Sequence, residues 1–509
     1  MFGKRTMQTR CKRVDISTGG QKVAFFPENL AMEYDLHPMD RIEVLSVKDL
    51  TVVHTAVVQF WSSLKGQVGL CRELADEMQI GEEGIIVVRQ IPKPESVQHI
   101  IDRMNGVELG GNQMMDIVGD IVDDSLTEVE LSCFVTACTM QDLTMAELYN
   151  LTRYLAESGD RMEWDDELVA DKHCTGGVPG NRTSPIVVPI IASLDVKIPK
   201  ASSRAITSPA GTADVMETMA KVSFDKWQIK DIVGRTGGCL IWGGGLNVAP
   251  ADSRLIRIRK PIDSNPEGLL ISSILSKKFA MGSKYVLIDM PVGLETRYHS
   301  LGEVRHMAQK VKKIAARLGM RAHVEITFGD EPIGNGIGPN LEARDVLRVL
   351  MNRPEAPADL KEKALWIAGK LIDLFGKDRY GPDHRPGDGY EIAKDVLENG
   401  KAFSKFQQIV EAQGGDPNLH PDNFRTETHT IDIRAPKEGQ LIDYDNRVIK
   451  KIARLAGAPG NAGAGVDIYR TSGTMVSRGE LLLNVYTGSE EKQSMVFDFL
   501  SRNRLFTIE

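Results

Sequence analysis

Residues 172–184 read Lys-His-Cys-Thr-Gly-Gly-Val-Pro-Gly-Asn-Arg-Thr-Ser. A lysine, a histidine, a thiol and several hydroxyls stand there among glycines. Glu167-Leu168-Val169-Ala170, just before, reads as a short strand. Thr183-Ser184-Pro185, at the end, reads as a helix start: a hydroxyl N-cap, then a proline whose φ already suits the first turn. Strand, glycine-rich loop and helix N-terminus together make an anion site, because glycines let the backbone approach, N–H groups point outward and the helix dipole favours negative charge. Phosphate is the anion of first choice. The competing reading is a plain strand-to-helix turn. Gly-Gly alone favours that reading; Lys172, His173 and the flanking hydroxyls reverse it.

A second cluster of the same kind follows. Val196-Lys197-Ile198 is a strand candidate, and it runs into Ser202-Ser203-Arg204-Ala205-Ile206-Thr207-Ser208-Pro209-Ala210-Gly211-Thr212. Residues 213–222 then place Val215, Met216, Met219 and Ala220 at helical spacing. Two adjacent strand-to-helix loops converge at the carboxyl edge of a parallel sheet, where ligands bind. Neither loop has the Walker or the dinucleotide pattern, which argues against ATP hydrolysis and dinucleotide binding.

These residues resemble the thymidine and pyrimidine nucleoside phosphorylases, and most of all their long branch, which includes the AMP phosphorylases of archaea. The family's Lys-His-Ser-Thr-Gly-Gly, Thr-Ser and Ser-rich loop correspond to Lys172–Gly177, Thr183-Ser184 and Ser202–Thr212. The likeness continues through Ala249-Pro250-Ala251-Asp252, Ser272–Lys278, Asp289–Gly293 and Gly338–Arg344, and spans roughly residues 95 to 509. It implies phosphorolysis: inorganic phosphate replaces a base at the anomeric carbon, giving free base and a pentose 1-phosphate. It implies phosphate binding by Lys172, Cys174, Gly177, Ser184, Ser202 and Thr212. It implies a grip on the base by His173, Arg259, Ser273 and Lys277, with His173 donating toward the 2-oxo oxygen. No cofactor and no metal is expected, with phosphate as co-substrate.

The sequence departs from the family at telling places. Cys174 puts a weak thiol donor where relatives have serine. The spacer Val178–Arg182 is one residue longer than in the thymidine enzymes and matches the long branch. Ser203, Arg204, Thr207 and Ser208 offer donors for a substrate 5′-phosphate, which favours a nucleotide. Against that, the AMP enzymes use an aspartate as proton donor just before the Ser-Ile-Leu helix, where this chain has Asn265 and, two residues earlier, Asp263. The first expectation is therefore a pyrimidine (deoxy)nucleoside, with AMP or another nucleoside monophosphate, giving ribose 1,5-bisphosphate, as the alternative. A phosphoribosyltransferase and a non-catalytic nucleotide-binding relative stand below both. Lys277 and Lys278 share a helix with Leu269, Leu270, Ile274 and Leu275, so one of them is expected in solvent. Arg254, Arg257, Arg259 and Lys260 read as a solvated face or a phosphate-steering patch. The histidines other than His173 read as structural or surface residues.

The rest of the chain must position these groups. At 509 residues it exceeds a single core. A net charge of −8 argues against a general affinity for nucleic acid or anionic membrane. The apolar stretches are too short or too interrupted to span a bilayer. No secretory signal is read at the N-terminus, and the scattered cysteines lack a Cys-x-x-Cys pair, so reduced thiols in a cytoplasm are expected. The fold class is α/β with added parts. Residues 1–90, with alternating runs at 22–26, 41–45 and 84–88, read as a β-rich N-terminal domain, ended by the linker Ile91-Pro92-Lys93-Pro94-Glu95. Residues 95–160 read as a small helical domain, with Thr127 and Thr144 at helix starts; the resemblance adds a second segment near 251–281. Residues 165–425 read as the α/β phosphate-binding domain, and residues 430–509 as a C-terminal α+β domain. The family's nucleoside lies in a closing cleft between the helical and α/β domains. A homodimer or larger homo-oligomer is expected, with small-molecule partners only.

Overall fold

The computed structural model describes residues 6–47, 49–64, 66–165, 168–205, 208–262 and 264–509. Glu167, Thr207 and Asp263 lie outside the described residues. The chain forms two compact units, 1–159 with 249–276, and 160–248 with 277–509. It is a mixed α/β protein with a helical bundle and an α/β domain.

The first unit begins with a closed six-stranded barrel. Around it run, in order, Thr6–Arg13, Val68–Leu70, Val23–Phe26, Asp49–Phe60, Arg41–Ser46 and Glu83–Gln90. Met7 and Cys11, Ile42 and Val44, Ala56 and Val58, and Ile86 and Val88 are buried at alternate positions, as a pleated strand facing one core requires. Helices follow at Ser96–Met104, Gly111–Val122, Glu128–Met140, Met145–Glu157 and Pro250–Arg259. Thr127 and Thr144 each cap a helix: the side chain accepts from the N–H of Glu130 or Glu147, and the glutamate reaches back to the cap N–H. Such a cap contributes about 1 kcal/mol. The barrel and these helices share partly buried ion pairs. Arg41 donates to the Ser125 carbonyl at 2.7 Å and pairs with Glu130, and Lys22 Nζ lies 2.8 Å from Asp124.

In the second unit, parallel strands Arg321–Phe328, Tyr285–Val292 and Ala170–Cys174 lie side by side in that order. A second parallel pair, Ile198–Ser202 and Gly238–Trp242, is bridged to the first set at Val169 and Lys197. The order places the carboxyl ends of the Cys174, Ser202, Trp242 and Val292 strands along one edge. Helices Ser184–Ala192 and Ala358–Tyr380 pack into the main core with Leu301–Arg317 and others around the sheet. The helix Ser184–Ala192 is buried at every position, which explains why its sequence shows no polar face. The chain ends in two antiparallel sheets with helices Asn446–Ala456 and Glu490–Leu500.

Three local readings of the sequence are corrected. The strand before the first loop is Ala170–Cys174, not 167–170, so Lys172, His173 and Cys174 belong to the strand itself. Its pairing with Tyr285–Asp289 and burial at the middle of a parallel sheet override its polar composition. The second strand is Ile198–Ser202, with Lys197 only bridging. The helix after the second loop covers Thr212–Glu217 and stops well short of 222. Val222 leaves it because its carbonyl accepts from the Trp242 N–H at the sheet edge.

Candidate functional site

Successive residues of a strand point to opposite faces, and the Ala170–Cys174 strand uses both. On one side Lys172 is 1% exposed. Its ammonium donates to the Thr183 hydroxyl and to Ser184 Oγ at 3.4 Å, at the start of the helix Ser184–Ala192. Thr183 occupies the N-cap position, yet its side chain caps nothing. Its oxygen accepts from Lys172 instead, so the expected hydroxyl cap gives way to a stronger, charged hydrogen bond. Burial lowers the Lys172 pKa, neighbouring Lys363 and Arg182 add to that, and Cys174 and Asp289 oppose it.

Cys174 sits beside this lysine. Burial first, then Asp289, push its thiol up to about 11. Its sulfur accepts from the Gly176 N–H and from Asn181 Nδ2, each at 3.4 Å. Asp289 stays ionised below its ordinary range: burial opposes that, but Lys363, Lys172 and the Thr327 hydroxyl outweigh it. Gly177 has φ +100°, and a Cβ there would stand 2.8 Å from Thr296 Cα, so only glycine fits this turn. The Gly177 carbonyl accepts from Lys450 Nζ at 3.3 Å, and the same ammonium reaches the Glu295 carbonyl at 3.2 Å. A helix of the C-terminal region thus braces the loop.

On the other side, Asp171 is fully buried and accepts from Lys278 Nζ at 2.7 Å, with Lys200 Nζ at 4.0 Å. Burial and then Lys278 lower the Lys200 pKa to about 7, against the pull of Asp171. Partly buried His173 is held well below the ordinary histidine value by burial, then by Lys278, Lys200, Lys172 and Lys277. Its ring is therefore neutral at pH 7, and one ring nitrogen keeps a hydrogen to donate. Of the two adjacent lysines, Lys278 is the buried one and Lys277 is half-buried. Asp171, Lys200, Lys278, Lys363 and Arg182 carry much of this charge, yet none stood out in the sequence as a site residue. Nothing in their local sequence sets them apart from ordinary charged residues.

The second loop is drawn closed by Asp214, whose Oδ2 accepts from the N–H groups of Ala205 and Gly211, both at 2.7 Å. A Cβ on Gly211 would lie 2.7 Å from backbone atoms of Ser203, Arg204 and Ala205. Thr212 opens the following helix, and its Oγ1 accepts from Arg182 at 3.0 Å. The Ser202 hydroxyl donates to the Ile241 carbonyl at 3.1 Å, and that of Ser208 to the Ala210 carbonyl at 2.7 Å. Arg204 is gripped by both oxygens of Glu217, lies 3.4 Å from Asp214, and stacks on Trp242 at 4.9 Å. Ser203 is exposed. A cavity of about 570 Å³ opens beside Arg204, lined also by Asn340, Phe424 and Pro459 and by none of the six residues expected to hold phosphate.

Arg259 and Ser273 belong to the first unit, where Asp252 joins them. Ser273 Oγ donates to Asp252 Oδ2 at 2.7 Å, and the Arg259 guanidinium lies 3.9 Å from Oδ1. All three are buried. The surrounding basic run is not one solvated face: Lys260 is exposed, but other members are drawn into the fold. Arg254 is largely buried and pairs with Asp124 and the Ile121 carbonyl, and Arg257 lies 3.9 Å from Glu128. Partners distant in sequence take up charges that look free when only neighbours are seen. Asn265 precedes the helix Glu267–Ala280. Among the described residues no group of His, Cys, Asp and Glu is arranged to hold a metal, and no helix is long and apolar enough to cross a membrane.

Residues 166–403 match the glycosyl transferase family a/b domain, and residues 97–159 match that family's helical bundle domain. The chain is 40% identical over 503 residues to the AMP phosphorylase of Thermococcus kodakarensis, covering 99% of this chain and 98% of that one. It is also 40% identical over 503 residues to a Legionella pneumophila (strain Corby) protein named "Putative thymidine phosphorylase", covering 98% and 95%. The fold is similar to anthranilate phosphoribosyltransferase from Thermus thermophilus, with a TM-score of 0.52 at 16% identity over 63% of this chain and 100% of that one. At that identity the likeness speaks for the fold alone.

Proposed function

The chain belongs to the glycosyl transferase family that joins a helical bundle to an a/b domain, and it is a phosphorylase of the pentosyltransferase class; from that premise we propose that it cleaves the N-glycosidic bond of a pyrimidine nucleoside or deoxynucleoside with inorganic phosphate. The products are the free base and a (deoxy)ribose 1-phosphate. Lys172, with Cys174, Gly177, Ser184, Ser202 and Thr212, holds the phosphate. Basic side chains outnumber carboxylates around the Lys172 strand, which suits a dianion. A phosphate oxygen attacks the anomeric carbon, the C–N bond breaks and its electron pair leaves with the base. Neutral His173 donates its N–H toward the base's 2-oxo oxygen as charge builds there. A fixed donor of this kind is worth on the order of 3 kcal/mol. Ser202 turns its hydroxyl from the Ile241 carbonyl to reach the anion.

One observation carries the choice of a nucleoside over a nucleotide: Arg204, the cation available in the second loop for a 5′-phosphate, is held by both oxygens of Glu217. Asn265 points the same way, since an amide cannot serve as the acid. A nucleoside monophosphate is the second reading. The loop's Ser203, Arg204 and Ser208, with Thr207, and the 40% identity to a protein named AMP phosphorylase favour it. The deciding experiment is base release from nucleosides and nucleoside monophosphates, with and without phosphate. A catalytic efficiency for AMP tenfold or more above that for thymidine replaces the first reading by the second.

A further inference from the structure

Arg182 is 8% exposed and lies in the first loop, between the two clusters of hydroxyls. Its guanidinium is engaged in three directions. Nε donates to Glu342 Oε2 at 2.5 Å, one terminal nitrogen donates to Thr212 Oγ1 at 3.0 Å, and the other donates to the Ala210 carbonyl at 2.7 Å. Glu342 is 1% exposed and is itself fixed, since its second oxygen accepts from the Gly338 N–H at 3.1 Å. One rigid fork therefore ties the first loop to the second and both to the helix Pro339–Leu350.

The consequence lies in the direction of one proton. A threonine hydroxyl has one hydrogen and two lone pairs. With one lone pair of Thr212 filled by Arg182, its hydrogen points away from the guanidinium and is available to an acceptor there. Lys172 treats Thr183 and Ser184 in the same way: its ammonium donates to their oxygens. Resting on the phosphorolysis reading above, we propose that Arg182 is a positioning residue for the phosphate co-substrate, acting through Thr212 by orienting its hydroxyl to donate toward the anion. In this role Arg182 acts through Thr212, and three of its five N–H donors go to Glu342, Thr212 and the Ala210 carbonyl.

The test is a double-mutant cycle on Arg182 and Thr212, read as separate KM values for phosphate and for whichever of thymidine or AMP turns over. Arg182→Met raises the phosphate KM roughly tenfold, the effect of one oriented hydrogen bond, and leaves the other KM within about twofold. Thr212→Val does the same, and the pair together is no worse than Thr212→Val alone. Arg182→Lys keeps a charge beside Glu342 but lacks the fork, and it matches Arg182→Met in phosphate KM. Where Arg182→Met fails to fold because Glu342 is orphaned, Arg182→Met with Glu342→Gln serves in its place. Additive effects, or full rescue by Arg182→Lys, overturn the inference and leave the phosphorolysis reading standing. An unchanged phosphate KM in Thr212→Val overturns the phosphate assignment and this inference with it.

Discussion

Lys200 makes the charge cluster measurable. Its side chain is buried, 4% exposed, and its ammonium lies 4.0 Å from Asp171, a carboxylate already hydrogen-bonded to Lys278. Burial first, then Lys278, bring its pKa from 10.5 to about 7. Between those values the unfolded chain holds a proton that the folded chain lacks, so this residue makes stability rise with pH across that window. The penalty on the folded state is full below pH 7 and gone above 10.5. With about 1.4 kcal/mol per tenfold in proton affinity, the part regained between about pH 7 and pH 9.5 is ~3 kcal/mol. Lys200→Met removes the titration. The variant is therefore favoured most, relative to the parent, at pH 7, and the parent gains on it as pH rises. For a body of roughly 300 residues, ~2 cal/mol/K of unfolding entropy per residue converts ~3 kcal/mol into a change of about 5 °C in the melting-temperature difference. The assay is thermal unfolding of both proteins at several pH values in phosphate-free buffer, because a bound anion returns the proton to the lysine. Melting curves that keep the same separation from pH 7 to pH 9.5 would refute the depressed lysine and the picture of an over-supplied cation cluster.

Other outcomes follow from the same geometry. Base release stops in phosphate-free buffer and is untouched by EDTA; activity without phosphate, or lost with the chelator, contradicts phosphorolysis by protein groups alone. Lys172→Ala raises the phosphate KM about 10- to 150-fold, from the 1.5–3 kcal/mol of a charged hydrogen bond, whereas Ser202→Ala acts more weakly because that hydroxyl already has the Ile241 carbonyl as a partner. If steady-state kinetics show only the nucleoside KM moving in Lys172→Ala, the assignment is wrong. Cys174→Ser replaces a poor donor by a good one and lowers the phosphate KM a few-fold; an increase would show that the thiol serves packing against Asn181 and Asp289 rather than the anion.

Signals contained within a few residues were legible without the fold. Thr127 with Glu130 and Thr144 with Glu147 announce two helices because a cap is a contact over three positions. Gly177 and the Thr183-Ser184-Pro185 start marked the first strand-to-helix loop because backbone freedom and a proline at a helix start are properties of the local chain. The order of motifs likewise pointed to the phosphorylase family. What the sequence could not decide was where side chains from distant segments meet. Lys172–Cys174 read as loop because strand propensity concerns a half-buried surface, and only pairing with Tyr285–Asp289 puts this polar run inside a sheet. Arg204 read as a free cation until Glu217 closed on it, and Arg254 as a surface charge until Asp124 met it. Arg182 passed as spacer until Glu342, 160 residues on, gave it a buried counter-charge. Charges act through space, and burial sets their strength. The local chain therefore determined that a glycine-rich strand-to-helix loop exists, while the tertiary fold alone decided which cations surround it and which groups its hydroxyls meet.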